Sequence, residues 1–139
     1  MACTKTSVVN DIHEINGPMW NSEDIKSFDF AIDDTTSGYD FHVLVRNDDD
    51  YPYRNLYLFV NLEFPDNRIT SDTIYCELAN KAGKWLGKGF GSHHNSEILY
   101  KDNQQFPMKG EYKVSIEQAM RQESLPGITD VGISIRENK

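Results

Sequence analysis

The sequence predicts an all-β fold: a two-sheet antiparallel β-sandwich, jelly-roll-like, with about eight strands and at most one short helix. Three observations carry this. Apolar and polar residues alternate at period two through one segment after another. Turn-forming residues separate those segments. Apolar spacings of three and four, which a helix needs, are missing from them.

The segments follow in order. Phe28, Phe30 and Ile32 alternate with Asp29 and Ala31. Phe41, Val43 and Val45 form the next row. Leu56, Leu58, Val60, Leu62 and Phe64 share one parity, which predicts a central strand with one face in the core. Ile74, Cys76 and Leu78 repeat the pattern, as do Tyr112, Val114 and Ile116, then Val131, Ile133 and Ile135. The pattern resumes upstream near Val8 and Val9. The breaks at Thr36-Ser37-Gly38, Asn47 to Pro52, Pro65-Asp66-Asn67, Asn80 to Gly83 and Pro126-Gly127 supply turn residues. Ser115 and Gln118 have capping-box spacing, so a single helical turn is expected from Glu117 to Arg121.

At 139 residues the chain suits one domain. We expect residues 1–7 to be a flexible N-terminal tether and residues 8–139 a single sandwich. The net charge of -8 opposes binding to a phosphate backbone, so no nucleic-acid partner is expected. No apolar run approaches the roughly 20 residues of a membrane helix.

Two cysteines are too few for a disulfide scaffold. Cys76 shares a face with Ile74 and Leu78 and reads as a small core residue. Cys3 follows Ala2 in a polar N-terminal stretch. A small residue before a cysteine fits the processing site of a bacterial lipoprotein, although no basic and apolar signal regions precede it. A free cysteine in a frayed terminus fits the local residues equally well.

Chemistry-bearing groupings are few. The glycines of Gly83-Lys84-Trp85-Leu86-Gly87-Lys88-Gly89-Phe90-Gly91 lack the following helix and the lysine-serine/threonine ending of a phosphate loop. They read as a relaxed bulge or crossover pinned by Trp85 and Phe90. Asp48, Asp49 and Asp50 are a weak calcium option, because no EF-hand glycine follows them. No transition metal is expected: His93 and His94 are adjacent and would point apart on a strand, and His13 and His42 are isolated surface residues. There is no Gly-x-Ser-x-Gly elbow and no marked carboxylate pair, so no catalytic residue, cofactor or enzymatic activity is assigned. Tyr51, Tyr53, Tyr57, Trp85, Phe90 and Tyr100 lie in or beside expected loops. They either close the ends of the core or present a surface to a sugar or protein. Tyr51, Tyr53, Trp85, Phe90 and Arg121 are the candidates for such an architectural or partner surface.

Asp50-Tyr51-Pro52-Tyr53-Arg54-Asn55-Leu56 resembles the Tyr-Pro-Tyr-x-Asn-Leu segment of the gliding-motility lipoprotein GldH family. The glycine-rich segment 83–91, Glu117-Gln118-Ala119-Met120-Arg121 and Gly127-Ile128-Thr129-Asp130-Val131-Gly132 are similar to other signatures of that family. Trp20 followed by Phe28 and Phe30, then Arg46-Asn47, keeps the same layout. The resemblance implies a lipoprotein of the bacterial cell envelope, lipidated at Cys3 and facing the periplasm. It would serve gliding motility and the associated protein secretion through other envelope proteins, without enzymatic activity or cofactor. The alternative is a surface lipoprotein whose sandwich binds glycans. That reading calls for exposed, coplanar aromatic rings.

Overall fold

The computed structural model describes residues 7–89 and 91–138. The period-two rows become strands: β1 (Ser7–Glu14), β2 (Met19–Asn21), β3 (Lys26–Ile32), β4 (Gly38–Asp48), β5 (Asn55–Glu63), β6 (Ile69–Glu77), β7 (His93–Gln104), β8 (Gly110–Gln118), β9 (Ser124–Pro126) and β10 (Ile128–Asn138). No helix occurs among the described residues.

One four-stranded sheet has the order β1-β10-β4-β7, the other β3-β8-β5-β6, and β2 pairs with β9 alone. All pairings are antiparallel. Setting aside the three-residue β2 and β9, eight long strands remain. In chain order they run first-eighth-third-sixth in one sheet and second-seventh-fourth-fifth in the other. That is the double Greek key of a jelly roll. The fold class read from the sequence therefore holds.

The alternation places one parity of each strand between the sheets. Phe28, Phe30, Ile32, Leu56, Leu58, Val60, Tyr112, Val114 and Ile116 face Phe41, Val43, Val45, Val131, Ile133 and Ile135 across the core, all buried. Leu62 is buried and Phe64, one residue past β5, packs half-buried against the same core. β5 lies between β8 and β6, as its unbroken apolar row predicts.

The expected helical turn at Glu117–Arg121 does not form. β8 continues through Gln118, whose side chain follows Val114 and Ile116 inward and is buried. There Gln118 Nε2 donates to the carbonyls of Gln122 (2.8 Å) and Glu123 (3.2 Å), and its Oε1 accepts from Met120 N at 2.9 Å. The period-two pattern thus outweighs the capping-box spacing.

Strand direction gives the sandwich two distinct poles. β1 begins at one of them, where Ser7 lies opposite Arg136 and Gly38 opposite Asn138. The three connections there, 33–37, 64–68 and 105–109, are short. The other pole holds residues 15–25, 49–54, 78–92 and 119–127. The eleven residues of β4 separate the poles by roughly 35 Å.

Candidate interaction site at one pole

The four motif segments converge on the pole remote from Ser7. The 49–54 connection starts on Asp48, whose Oδ1 accepts from Asp50 N at 2.9 Å, an Asx turn. Tyr51 then folds inward. It is buried, and its hydroxyl donates to Asn55 O at 2.6 Å. Burial, with Tyr53 and Cys76 nearby, raises that hydroxyl's pKa well above the ordinary tyrosine value. It is a structural donor and not an acid at any working pH.

Gly127 lies directly against Tyr51. Its φ is +91°, and a Cβ there would sit 2.4 Å from both Tyr51 Cα and Tyr51 N. Only glycine supplies that backbone shape and that clearance. Gly127 O also accepts from Asp48 N at 2.8 Å. The Pro126-Gly127 break is therefore the seat of the Tyr51-Pro52-Tyr53 loop.

The glycine-rich connection 78–92 carries the chain from β6 in one sheet to β7 in the other, so it is the crossover the sequence suggests. Leu78 N and Ala79 N donate to Arg54 O at 2.8 and 3.0 Å, which fastens it to the tyrosine loop. Asn80 Oδ1 accepts from Ala82 N and Lys84 N and closes the turn at Gly83, where φ is +82°. A Cβ at Gly87 would lie 2.9 Å from Asn95 N and O, and one at Gly89 would lie 2.2 Å from His93 O. These glycines let the crossover lie against the start of β7.

Trp85 is half-buried and packs on the core. Its ring stacks on His94 with centroids 5.4 Å apart and tilts 43° to Tyr51. His94 Nε2 lies 2.8 Å from Asp49 Oδ1. Asp48 and Asp49 thus serve separate local contacts. Among the described residues no three His, Cys, Asp or Glu side chains are grouped to hold a metal ion.

The remaining motif closes the third side. Tyr53 donates to Gln122 Oε1 at 2.8 Å, Ala119 N donates to Tyr57 O at 2.8 Å, and Tyr57 N points to Met120 Sδ at 3.3 Å. Trp20 on β2, fully buried, donates from Nε1 to Asp24 O at 2.8 Å. Ser22 N reaches Glu123 O at 2.8 Å. Trp20 is a further anchor of this pole, and its place opposite Leu125 on β9 had no strand-length signal in the sequence.

Of the candidate surface residues, Tyr51 is buried, Trp85 half-buried, and Tyr53 and Arg121 exposed. Cys3 and Phe90 lie outside the described residues. Tyr57 and Tyr100 belong to β5 and β7, not to loops. His13 is not a simple surface residue, because its ring stacks on Phe28 at 4.3 Å. The Tyr51 and Tyr53 rings stand at 77° to each other, so these three aromatics form no flat platform. Cys76 is buried and its thiol pKa is pushed up to about 12 by burial, which makes it an inert core residue.

The crossover at this pole is basic, while the pole as a whole balances its five Lys and Arg with Glu23, Asp24, Asp49, Asp50 and Glu123. Residues 78–92 contain Lys81, Lys84 and Lys88 and no acidic residue, in a chain of net charge -8. Arg54 and Arg121 belong to the 49–54 and 119–127 connections of the same pole. All five are exposed and make no ion pair among the described residues.

A sequence model of the family described as GldH lipoprotein matches residues 7–135, which takes in all four converging segments. The chain belongs to the GldH lipoprotein family. It is 37% identical over 144 residues to a protein of Christiangramia forsetii named "Gliding motility lipoprotein GldH homolog", covering 99% of this chain and 88% of that one. It is 35% identical over 143 residues to "Gliding motility lipoprotein GldH" of Flavobacterium johnsoniae, covering 98% and 88%. No solved structure matches. Membership of this family implies a gliding motility lipoprotein.

Proposed function

We propose that the chain is a lipid-anchored, non-catalytic component of the bacterial gliding-motility and associated secretion apparatus. It is held at the envelope membrane through Cys3, faces the periplasm and acts by protein–protein contact at the motif-bearing pole. The observation that carries the reading is the convergence of the four segments on the pole opposite the start of β1. Because β1 starts at the far pole, an anchor upstream of Ser7 would join the sandwich at the end away from those segments. The three exposed lysines of the 78–92 crossover, with Leu86 exposed among them, suit an acidic protein surface. The inclined rings and the burial of Tyr51 favour this over glycan stacking.

Attachment needs several acyl chains, since one alone holds only reversibly. The test is the full precursor with Cys3→Ser, expressed in its own host and fractionated. The reading expects the variant to leave the membrane fraction and gliding to be lost. A variant that stays membrane-bound and supports gliding would overturn the anchor, as would an unmodified Cys3 in the mass spectrum of the wild type. No calcium ion is assigned to Asp48, Asp49 and Asp50, so excess calcium and excess chelator should give the same melting temperature.

A further inference from the structure

One row of the β1-β10-β4-β7 sheet runs Glu14, Asp130, Arg46, Asn95, each directly opposite the next. All four belong to the outer face, since their neighbours His13, Val131, Val45 and His94 turn inward. Arg46 is fixed in this row. Its Nε donates to Asn95 Oδ1 at 2.7 Å and its Nη1 reaches Asp130 Oδ1 at 3.5 Å. Thr129 Oγ1 donates to the same Asp130 oxygen at 2.7 Å. Neighbours on a regular strand point to opposite faces, and the bulge between Ile128 and Asp130 lets these two side chains meet.

Every one of these contacts uses Oδ1. Asp130 Oδ2 has no partner among the described residues, although the side chain is only 9% exposed. Asp130 lines a cleft of about 640 Å³ at the motif-bearing pole, and Oδ2 is the oxygen left to face it. Glu14, which also lines the cleft, is exposed and forms no ion pair among the described residues. Like charges directly opposite on paired strands are destabilising. Arg46 stands on the far side of Asp130 from Glu14, and it is the one Lys or Arg among the described lining residues. Asp48 and Asp50 add two more carboxylates. Nothing inside the chain offsets the Glu14–Asp130 opposition, which is the pattern of stability given up for a binding function.

The lining narrows what the cleft can take. No Phe, Tyr or Trp is among its described residues, so no such ring stands ready to stack on a sugar or a base. Among the described residues no three carboxylate or imidazole side chains are grouped for a metal ion. Pro18, Met19 and Pro126 supply apolar wall beside the carboxylates. An apolar stem with a cationic tip matches both parts, and lysine and arginine side chains have that form.

We propose that this cleft receives a lysine or arginine side chain of a partner protein, with its stem against Met19 and Pro126 and its head between Glu14 and Asp130 Oδ2. The proposal rests on the reading of this pole as a protein-contact surface and names the chemistry recognised there. The cleft sits at the ends of β1, β10 and β4, whereas the lysine-bearing crossover joins β6 to β7. A partner therefore offers a cation to one and an acidic surface to the other. Two patches of opposite sign fix the orientation of docking.

Titration of the nitrogen-15-labelled 139-residue chain with N-acetyl-arginine amide, followed by its amide resonances, tests the cleft. The amides of Glu14, Thr129 and Asp130 should shift and saturate, and N-acetyl-lysine amide should move the same set. N-acetyl-citrulline amide, similar in shape but uncharged, should move none of them. Glu14 is exposed, so Glu14→Gln keeps the fold. It should weaken the arginine probe about tenfold, the worth of one charge-assisted contact. It should also raise the melting temperature, because it relieves the opposed carboxylates. Asp29→Asn, at an exposed carboxylate on β3 of the other sheet, changes the net charge equally and should leave the affinity unchanged. In its own host, the precursor with Glu14→Lys brings its own cation to the cleft and should stay in the membrane fraction but lose gliding. A citrulline probe that binds like the arginine probe overturns the proposal. So does a Glu14→Gln variant with unchanged affinity or a lower melting temperature. Calcium chloride that saturates the same amides at lower concentration than the arginine probe, or a Glu14→Lys strain that glides, overturns it as well. The titration needs neither anchor nor apparatus, so its failure leaves the Cys3→Ser result standing, and failure of the anchor leaves the titration unchanged.

Discussion

The two poles of the sandwich close their loops in different ways. At the pole where β1 begins, the turns are built mainly from neighbours, with one side-chain bond, Gln105 Nε2 to Thr36 O at 2.9 Å, between two of them. Asp34 alone accepts from Thr36 N and Oγ1, Ser37 N and Ser37 Oγ, and Asp66 accepts from Arg68 N and Nε. At the other pole, distant segments complete one another: Tyr53 with Gln122, Asp48 with Gly127, Arg54 with Leu78, Ser22 with Glu123. A loop of the first kind can change without disturbing its neighbours. A loop of the second kind holds its shape only while the others hold theirs. The motif segments all belong to the second kind.

This difference predicts how substitutions rank. Trp20→Ala should cost most, about 3–5 kcal/mol, because the ring is fully buried at the joined pole. Gly127→Ala follows at about 2–4 kcal/mol, from backbone strain at positive φ and the clash with Tyr51. Trp85→Ala should cost less, about 1–3 kcal/mol, since its ring is only half-buried. Denaturant titration of each variant gives the order. Asp34→Ala at the opposite pole should have the smallest effect. Hydrogen bonds from Thr36 first, then Ser37, hold the Asp34 carboxyl below the usual carboxylate range. A lowered folded-state value stabilises above the unfolded one, near about pH 4, and that stability is lost as pH falls through the folded value. The melting-temperature gap between wild type and Asp34→Ala should therefore be present at neutral pH and shrink in acid.

The same contrast explains what could be read from the sequence. Strands β3, β4, β5, β8 and β10 announce themselves because large apolar residues recur at every second place, and β6 does so only at its end, through Ile74, Cys76 and the following Leu78. β7 does not: His94 and Ser96 occupy two of its inward places, and only Ile98 and Tyr100 give an apolar signal. Its pairing with β4 holds it in place, not its own pattern. β2 and β9 are too short to show a period. Asp34 and Asp66 read directly as turn residues, since their partners lie within three positions. The meeting of Tyr51, Trp85 and Gly127 is invisible locally, because each supplies what another lacks and they lie far apart in the chain. A buried Tyr51 and a glycine with no room for a Cβ become legible only once the strands are ordered.

The central claim is that the motif-bearing pole is one mutually supported unit, and a double-mutant cycle on Trp85→Ala and Gly127→Ala tests it most directly. Both residues touch Tyr51, so their effects should couple by about 0.5 kcal/mol or more, while Asp34→Ala with Gly127→Ala, taken from opposite poles, should add. If Trp85→Ala and Gly127→Ala also add within about 0.3 kcal/mol, the segments are independent loops that happen to share an end, and the account of this pole is wrong.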